Sequence, residues 1–135
     1  MKRPDLQISD LMTTALITVT PNEPVTGAHA EMQVGVVRHL PVVDDRKRLV
    51  GVVSDRDILR ALSAKPAKRV LDIMTRDVTT VRPEAAAHTA AELMLEQKIS
   101  SVLVVDDENT LVGMVTQTDY LEVARRALLG LALER

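Results

Sequence analysis

Moving the chain along itself by 62 positions lays its second half on its first without a gap. Over the 55 positions from Ile8 to Leu62, 18 residues are identical to those 62 places later. Among them are Asp10, Met12, Thr13, Pro21, Met32, Gly51, Asp57 and Leu59. Unrelated stretches of ordinary composition would share on the order of four. The chain is a tandem duplication. A unit of about 60 residues buries too little surface to be stable alone, so each copy is expected to bury a face against the other. A long period present only twice predicts paired units rather than an open array.

Within the repeat, the heptapeptide Gly51-Val52-Val53-Ser54-Asp55-Arg56-Asp57 returns as Gly113-Met114-Val115-Thr116-Gln117-Thr118-Asp119. The apolar residues before each glycine read as a buried strand, and those after each aspartate (Ile58, Leu59, Leu62; Tyr120, Leu121, Ala124) recur at helical spacing. The stretch is a strand-to-helix junction. Ser54 with Asp57, and Thr116 with Asp119, fit a capping box, which satisfies orphan amides at the helix start. A second reading is ligand binding, in which a first-turn carboxylate accepts hydrogen bonds from a ribose diol. The two are compatible, since the hydroxyl caps while the aspartate faces outward.

Read in order, each copy predicts a helical turn, a short strand, a helix, a hairpin and a second helix. Residues 1–7 read as a frayed lead-in and Ile8 to Met12 as the turn. Ile17 to Thr20 is a short strand stopped by Pro21, followed by a helix with Val25, Ala28, Met32 and Val36 inward and Gly35 at its end. His39 to Asp44 and Arg48 to Val53 form a hairpin, with Pro41 suggesting an edge or irregular position. The helix from Ser54 runs to about Leu62, before a basic linker from Ala64 to Arg69. The second copy repeats this with a turn at Val70 to Met74, a strand at Val78 to Val81 and a helix at Glu84 to Gln97. A hairpin at Ser101 to Asp106 and Leu111 to Val115 then leads to the last helix, from Thr116. The expected boundaries are 8–69 for the first repeat with its linker, 70–124 for the second, and 125–135 for the end of the last helix and a tail. Each unit is β-α-β-β-α, which predicts an α/β or α+β sandwich.

Composition narrows the function. Hydrophobic residues make up 46% and charged residues 27%, a globular balance. A net charge of −2 gives no general attraction to nucleic acid or anionic membrane. Tyr120 is the single aromatic, so stacking platforms for single-stranded nucleic acid are missing. With no cysteine there are no disulfides, thiolate chemistry or cysteine-ligated metals. The N-terminus is no signal peptide and the longest apolar run, Ala127 to Leu133, is too short to span a bilayer, so a cytoplasmic location is expected. His29, His39 and His88 lack metal-ligand spacing, the acidic pairs at Asp44-Asp45 and Asp106-Asp107 fit turns, and no catalytic constellation is present. No catalytic residue, metal site or required cofactor is expected.

The heptapeptide, the Leu-Pro-Val-Val-Asp strand from Leu40 to Asp44, the Asp-Leu/Ile-Met-Thr openings and the tandem arrangement resemble the CBS-domain pair, or Bateman module, over roughly residues 8–124. The resemblance implies a stand-alone protein made of one pair, in which the copies pack through their sheets with pseudo-two-fold symmetry and leave two clefts. One would combine Thr116, Thr118 and Asp119 with Thr13, Thr18, Val37, Arg38 and His39. The other would combine Ser54, Arg56 and Asp57 with Thr75, Val78, Thr79, Ile99, Ser100 and Ser101. It further implies that the aspartate binds ribose hydroxyls, main chain beside the early strand reads adenine, and hydroxyl and basic residues hold phosphate. The implied ligands are AMP, ADP, ATP or another adenosyl compound such as S-adenosylmethionine, with Mg2+ if the ligand is ATP. Arg38 and His39 in one cleft against Ser100 and Ser101 in the other predict that the first favours more phosphates. The implied role is a regulatory energy or metabolite sensor for a partner protein, in a homodimer formed through helices. The alternative is a structural homo-association module with unoccupied clefts, the aspartates serving only as caps.

Overall fold

The computed structural model describes residues 5–35 and 37–130. Val36, expected on an apolar stripe, lies outside the described residues, as do residues 1–4 of the lead-in and 131–135 of the tail. The described elements run α1 (Ile8–Leu11), α2 (Val25–Gly35), β1 (His39–Val43), β2 (Leu49–Ser54), α3 (Asp55–Ala61) and α4 (Val70–Ile73). They continue with β3 (Thr80–Val81), α5 (Ala87–Gln97), β4 (Ser101–Val105), β5 (Leu111–Thr116) and α6 (Gln117–Leu128). This is the mixed α/β order expected, with the early strand of each copy shorter than the pattern suggested. β1 and β2 form a two-stranded antiparallel sheet, and β3, β4 and β5 a three-stranded one. The early strand of the first copy is reduced to a single parallel bridge from Val19 to Val42.

Pro41 sits inside β1, opposite Val52, in a two-stranded sheet whose other side is met by a single bridge to Val19, so the expected edge or irregular position is what it occupies. Its carbonyl accepts from Val19 N–H at 3.1 Å, and Val43 N–H donates to the Val19 carbonyl at 2.9 Å. Ladder bonds to the antiparallel partner come from alternate residues, so the missing Pro41 donor removes none of those to β2. A bulge between Val42 and Val43 then ends the regular pairing.

The residues gather into two compact units that do not follow the sequence repeats. A central unit holds Ile17–Val78 with Asn109–Leu111, and a terminal unit holds Met1–Leu16, Thr79–Glu108 and Val112–Arg135. Each copy lends its opening helical turn to the unit built mainly from the other. In the terminal unit, Ile8 N–H donates to the Ala85 carbonyl and Ser9 N–H to the Pro83 carbonyl, both at 2.9 Å. In the central unit, Val70 N–H donates to the Glu23 carbonyl at 2.8 Å and Leu71 N–H to the Pro21 carbonyl at 2.9 Å. Each donor and each acceptor is again 62 positions from its counterpart. Leu6 and Gln7 are anchored too, since Gln7 bridges Ala86 and the Leu6 carbonyl accepts from Ala87 N–H.

The cores record the same exchange. In the central unit Val70 joins Val19, Ala28, Met32, Leu40, Val53 and Ile58. In the terminal unit Ile8 joins Val81, Ala90, Met94, Val102 and Val115. Ile8 and Val70 are both fully buried, so a four-residue helix too short to persist alone is anchored in a ready-made core by that side chain together with its main-chain bonds.

A close approach explains the repeated glycine. Thr75 and Val52 exchange main-chain hydrogen bonds of 2.8 and 2.9 Å, and Thr13 and Met114 exchange bonds of 2.9 and 3.0 Å. The segment after α4 thus lies over Gly51, where a Cβ would stand 2.8 Å from the Thr75 carbonyl oxygen and 3.0 Å from Met74 Sδ. At Gly113 a Cβ would stand 2.7 Å from Met12 Sδ and 3.1 Å from the Thr13 carbonyl oxygen. The shared Met-Thr and the shared glycine are two sides of one contact.

Candidate functional site

Each heptapeptide folds as the strand-to-helix junction its pattern dictates, β2 into α3 and β5 into α6. Ser54 is extended and caps α3: its Oγ accepts from Asp57 N–H at 3.2 Å, while Asp57 Oδ2 accepts from Ser54 N–H at 3.3 Å and from the Ser54 hydroxyl at 2.9 Å. At α6, Asp119 Oδ2 accepts from Thr116 N–H at 2.8 Å and from the Thr116 hydroxyl at 3.3 Å. Both aspartates are half-buried. Among the described residues, every hydrogen bond to either acid reaches Oδ2. A carboxylate has about four acceptor positions on two oxygens, so capping leaves each acid with acceptor capacity. The capping and ligand readings of the junction coexist in this geometry.

Each junction is buttressed from its own unit. The Arg38 carbonyl accepts from Asp55 N–H at 2.8 Å, and the Ser100 carbonyl from Gln117 N–H at 3.0 Å. His39 pairs with Ser54 across β1 and β2, so Val37, Arg38 and His39 lead directly to the cap of α3. In the terminal unit Ile99 and Ser100 lead into β4 at the equivalent place, and Ser101 opens that strand. Thr13 and Thr75 are exposed and joined to β5 and β2 through their main chains. Thr18 and Val78 are half-buried in the central unit. The Thr79 hydroxyl donates to Gln97 Oε1 at 2.7 Å, and Thr118 is exposed in the first turn of α6.

Arg38 and Arg56, expected to serve different clefts, line one open depression of about 450 Å³ in the central unit, with Asp55, Leu59 and Arg60. Asp55 and Arg60 were not singled out in the sequence. The signal was there, because Arg60 and Glu122 are equivalent positions of opposite charge. In the terminal unit, Asp119 lines a smaller depression of about 220 Å³ with Asp10, Leu11, Glu122, Val123 and Arg126. Arg125 hydrogen-bonds the Glu122 carboxylate and holds it below the usual range, while Glu122 raises Arg125 in turn. The Tyr120 hydroxyl donates to the Ala87 carbonyl and ties α6 to α5. Burial, then the charge of Asp119, pushes that phenol above its ordinary value. Among the described residues no group of His, Asp and Glu could hold a metal ion, and no helix is long and apolar enough to cross a membrane.

A fold of paired β-α-β-β-α copies, each ending in a capped aspartate junction, defines a class that the family comparison names. The CBS domain model matches residues 8–64 and again 70–126. The chain belongs to the CBS-domain family as a tandem pair. It is similar to CBSX2, a CBS-pair protein of Arabidopsis thaliana, whose structure in complex with AMP is 33% identical with a TM-score of 0.82. That match covers 90% of this chain and 98% of the other. A CBS domain pair solved in complex with 5′-methylthioadenosine and S-adenosyl-L-methionine is 31% identical, with a TM-score of 0.80 over 92% of this chain and 99% of that one. The inosine-5′-monophosphate dehydrogenase of Methanocaldococcus jannaschii is 37% identical over 107 residues, 79% of this chain and 21% of that enzyme. The chain spans about a fifth of the length of such curated relatives.

Proposed function

We propose that the chain is a non-catalytic regulatory module that binds an adenosyl ligand at its two junctions and reports occupancy to a partner protein. One observation carries the reading: Asp57 and Asp119 each cap a helix through one carboxylate oxygen, at equivalent positions, and keep acceptor capacity for a ribose diol. The AMP complex and the 5′-methylthioadenosine and S-adenosyl-L-methionine complex of similar CBS pairs support the ligand class. In this reading Ser54, Arg56 and Asp57 serve one ligand, and Thr116, Thr118 and Asp119 the other, with Mg2+ accompanying ATP. The chain self-associates as a homodimer in the cytoplasm.

Melting curves with AMP, ADP, ATP, S-adenosylmethionine and NAD test this. A ligand at a hundred times its dissociation constant stabilises the fold by about 2.7 kcal/mol. A charged hydrogen bond is worth about 1.5–3 kcal/mol, so Asp57→Ala or Asp119→Ala should weaken one site roughly 10- to 100-fold and spare the other. No shift with any compound at millimolar concentration would leave the aspartates as caps and the protein as a structural association module.

A further inference from the structure

The two junctions are one cap set in unlike charge. Asp57 and Asp119 are equivalent, as are Asp72 and Asp10, so those acids cancel when the copies are compared. The residues that differ do not cancel. In the central unit Arg38, Arg56 and Arg60 line the depression of about 450 Å³ beside the cap of α3, and Asp55 is the one acid lining it. The positions 62 residues on carry Ser100, Thr118, Glu122 and Gln117. In the terminal unit Glu122 lines the depression of about 220 Å³ together with Asp119, and Arg126, in place of Ala64, offsets its charge. Arg125, which pairs with Glu122 on the exposed side, does not line that depression. Three arginines against one acid leave the central junction two positive charges ahead, while Glu122 and Arg126 leave the terminal junction level. The sharpest exchange lies one turn past each capped acid, where Arg60 stands in one copy and Glu122 in the other.

We propose that the two junctions select adenosyl ligands by the charge of the 5′ group, with Arg60 and Glu122 as the discriminating pair. The Asp57 junction takes a 5′-phosphorylated adenosine, and the Asp119 junction takes one whose 5′ group is uncharged or cationic, such as a thioether or a sulfonium. This rests on the adenosyl binding proposed above and names the ligand class of each site. A carboxylate that holds the ribose also repels a phosphate on the same ligand, so a phosphate is tolerated only where cations offset it. Arg56 and Arg60 flank Asp57 in α3 and are exposed, and guanidinium groups match phosphate oxygens bidentately. Beside Asp119 the residue one turn on adds a second carboxylate instead. Side chains three apart on a helix stand about 5–6 Å apart, inside a Debye length of about 8 Å at physiological ionic strength. The charge one turn on therefore acts on a ligand held at the aspartate whichever way the 5′ group leaves. Each comparison is made inside one unit, and the pair of sites reads two inputs rather than one.

ATP and S-adenosylmethionine share the adenosine group and differ at the 5′ position, so calorimetric titration of the full chain with both tests the proposal. Asp119→Ala leaves the Asp57 junction to be read, and Asp57→Ala leaves the Asp119 junction. ATP should bind the first about tenfold or more tightly than S-adenosylmethionine, and the order should reverse at the second. Charge exchanges are read in the otherwise unchanged chain, so they decide even where an alanine variant fails to fold. Arg60→Glu should weaken ATP binding about tenfold and leave S-adenosylmethionine binding unchanged, and Glu122→Arg should strengthen ATP at the Asp119 junction about tenfold. The same ligand preferred at both junctions, or exchanges that shift neither, overturns the selection and leaves adenosyl binding standing. No binding of either ligand at millimolar concentration overturns both.

Discussion

Replacing Gly51 by alanine tests how tightly the exchanged segment is held. A Cβ there would meet the Thr75 carbonyl oxygen at 2.8 Å, with Met74 Sδ at 3.0 Å and Met74 Cγ at 3.2 Å. The methionine can rotate away, but the oxygen belongs to a main chain that accepts from Val52 N–H at 2.9 Å. Relief requires moving the strand or lengthening that bond, an overpacking cost of about 1–3 kcal/mol. Unfolding entropy of about 2.1 cal/mol/K per residue over 135 residues gives roughly 0.28 kcal/mol/K, so Tm should fall by about 4–11 °C. Two companions fix the interpretation. At Gly113 the nearest atom is the mobile Met12 Sδ, with the Thr13 oxygen at 3.1 Å, so Gly113→Ala should cost less than Gly51→Ala. At Gly27, inside α2, the nearest atom is Glu23 Oε2 at 3.7 Å, so alanine should stabilise by about 0.5–1 kcal/mol. Differential scanning calorimetry on the three variants reads the order. A Gly51→Ala protein that melts at or above the unsubstituted one, or a larger loss at Gly113, would refute the close-approach argument.

Ile8→Ala should cost about 2–4 kcal/mol, and hydrogen exchange should show the loss around β4, β5 and α5 rather than in the first copy's own strands, because Ile8 is buried in the terminal unit. Lys98 ends α5 in the left-handed region, with φ 55° and ψ 45°, so Lys98→Gly should raise stability by about 1 kcal/mol in denaturant titration. Asp44 Oδ1 accepts from Arg46 N–H and Arg48 N–H, each at 2.9 Å. The Arg48 bond is the chief reason its carboxyl lies below the usual value. Its stabilising effect is therefore complete above the unfolded carboxyl value and lost as pH falls through the folded one. Asp44→Ala should flatten the acid limb of a stability-against-pH curve and leave neutral pH slopes unchanged.

The duplication alone determined much of this protein. Regular spacing in Val25, Ala28 and Met32, the apolar β-branched run of β2 and the Ser54/Thr116 caps are local properties, so helices, hairpins and junctions were legible residue by residue. The resemblance carried by Leu40 to Asp44 and the two heptapeptides pointed to the family, because those residues recur in order and twice. The proline in β1 suggested an edge or irregular position, and its missing donor falls on the side bridged only through Val19, next to the bulge between Val42 and Val43. The exchange of α1 and α4 was not legible, since Ile8 and Val70 would fill a core in either copy equally well. Only the three-dimensional path, with Thr75 laid on Gly51 and Thr13 beside Gly113, decided between them. The meeting of Arg38 with Arg56 and Arg60 likewise depends on how the loop before β1 folds onto α3. Periodicity along a chain fixes which side of an element is apolar; which neighbour covers that side is a property of the packed whole.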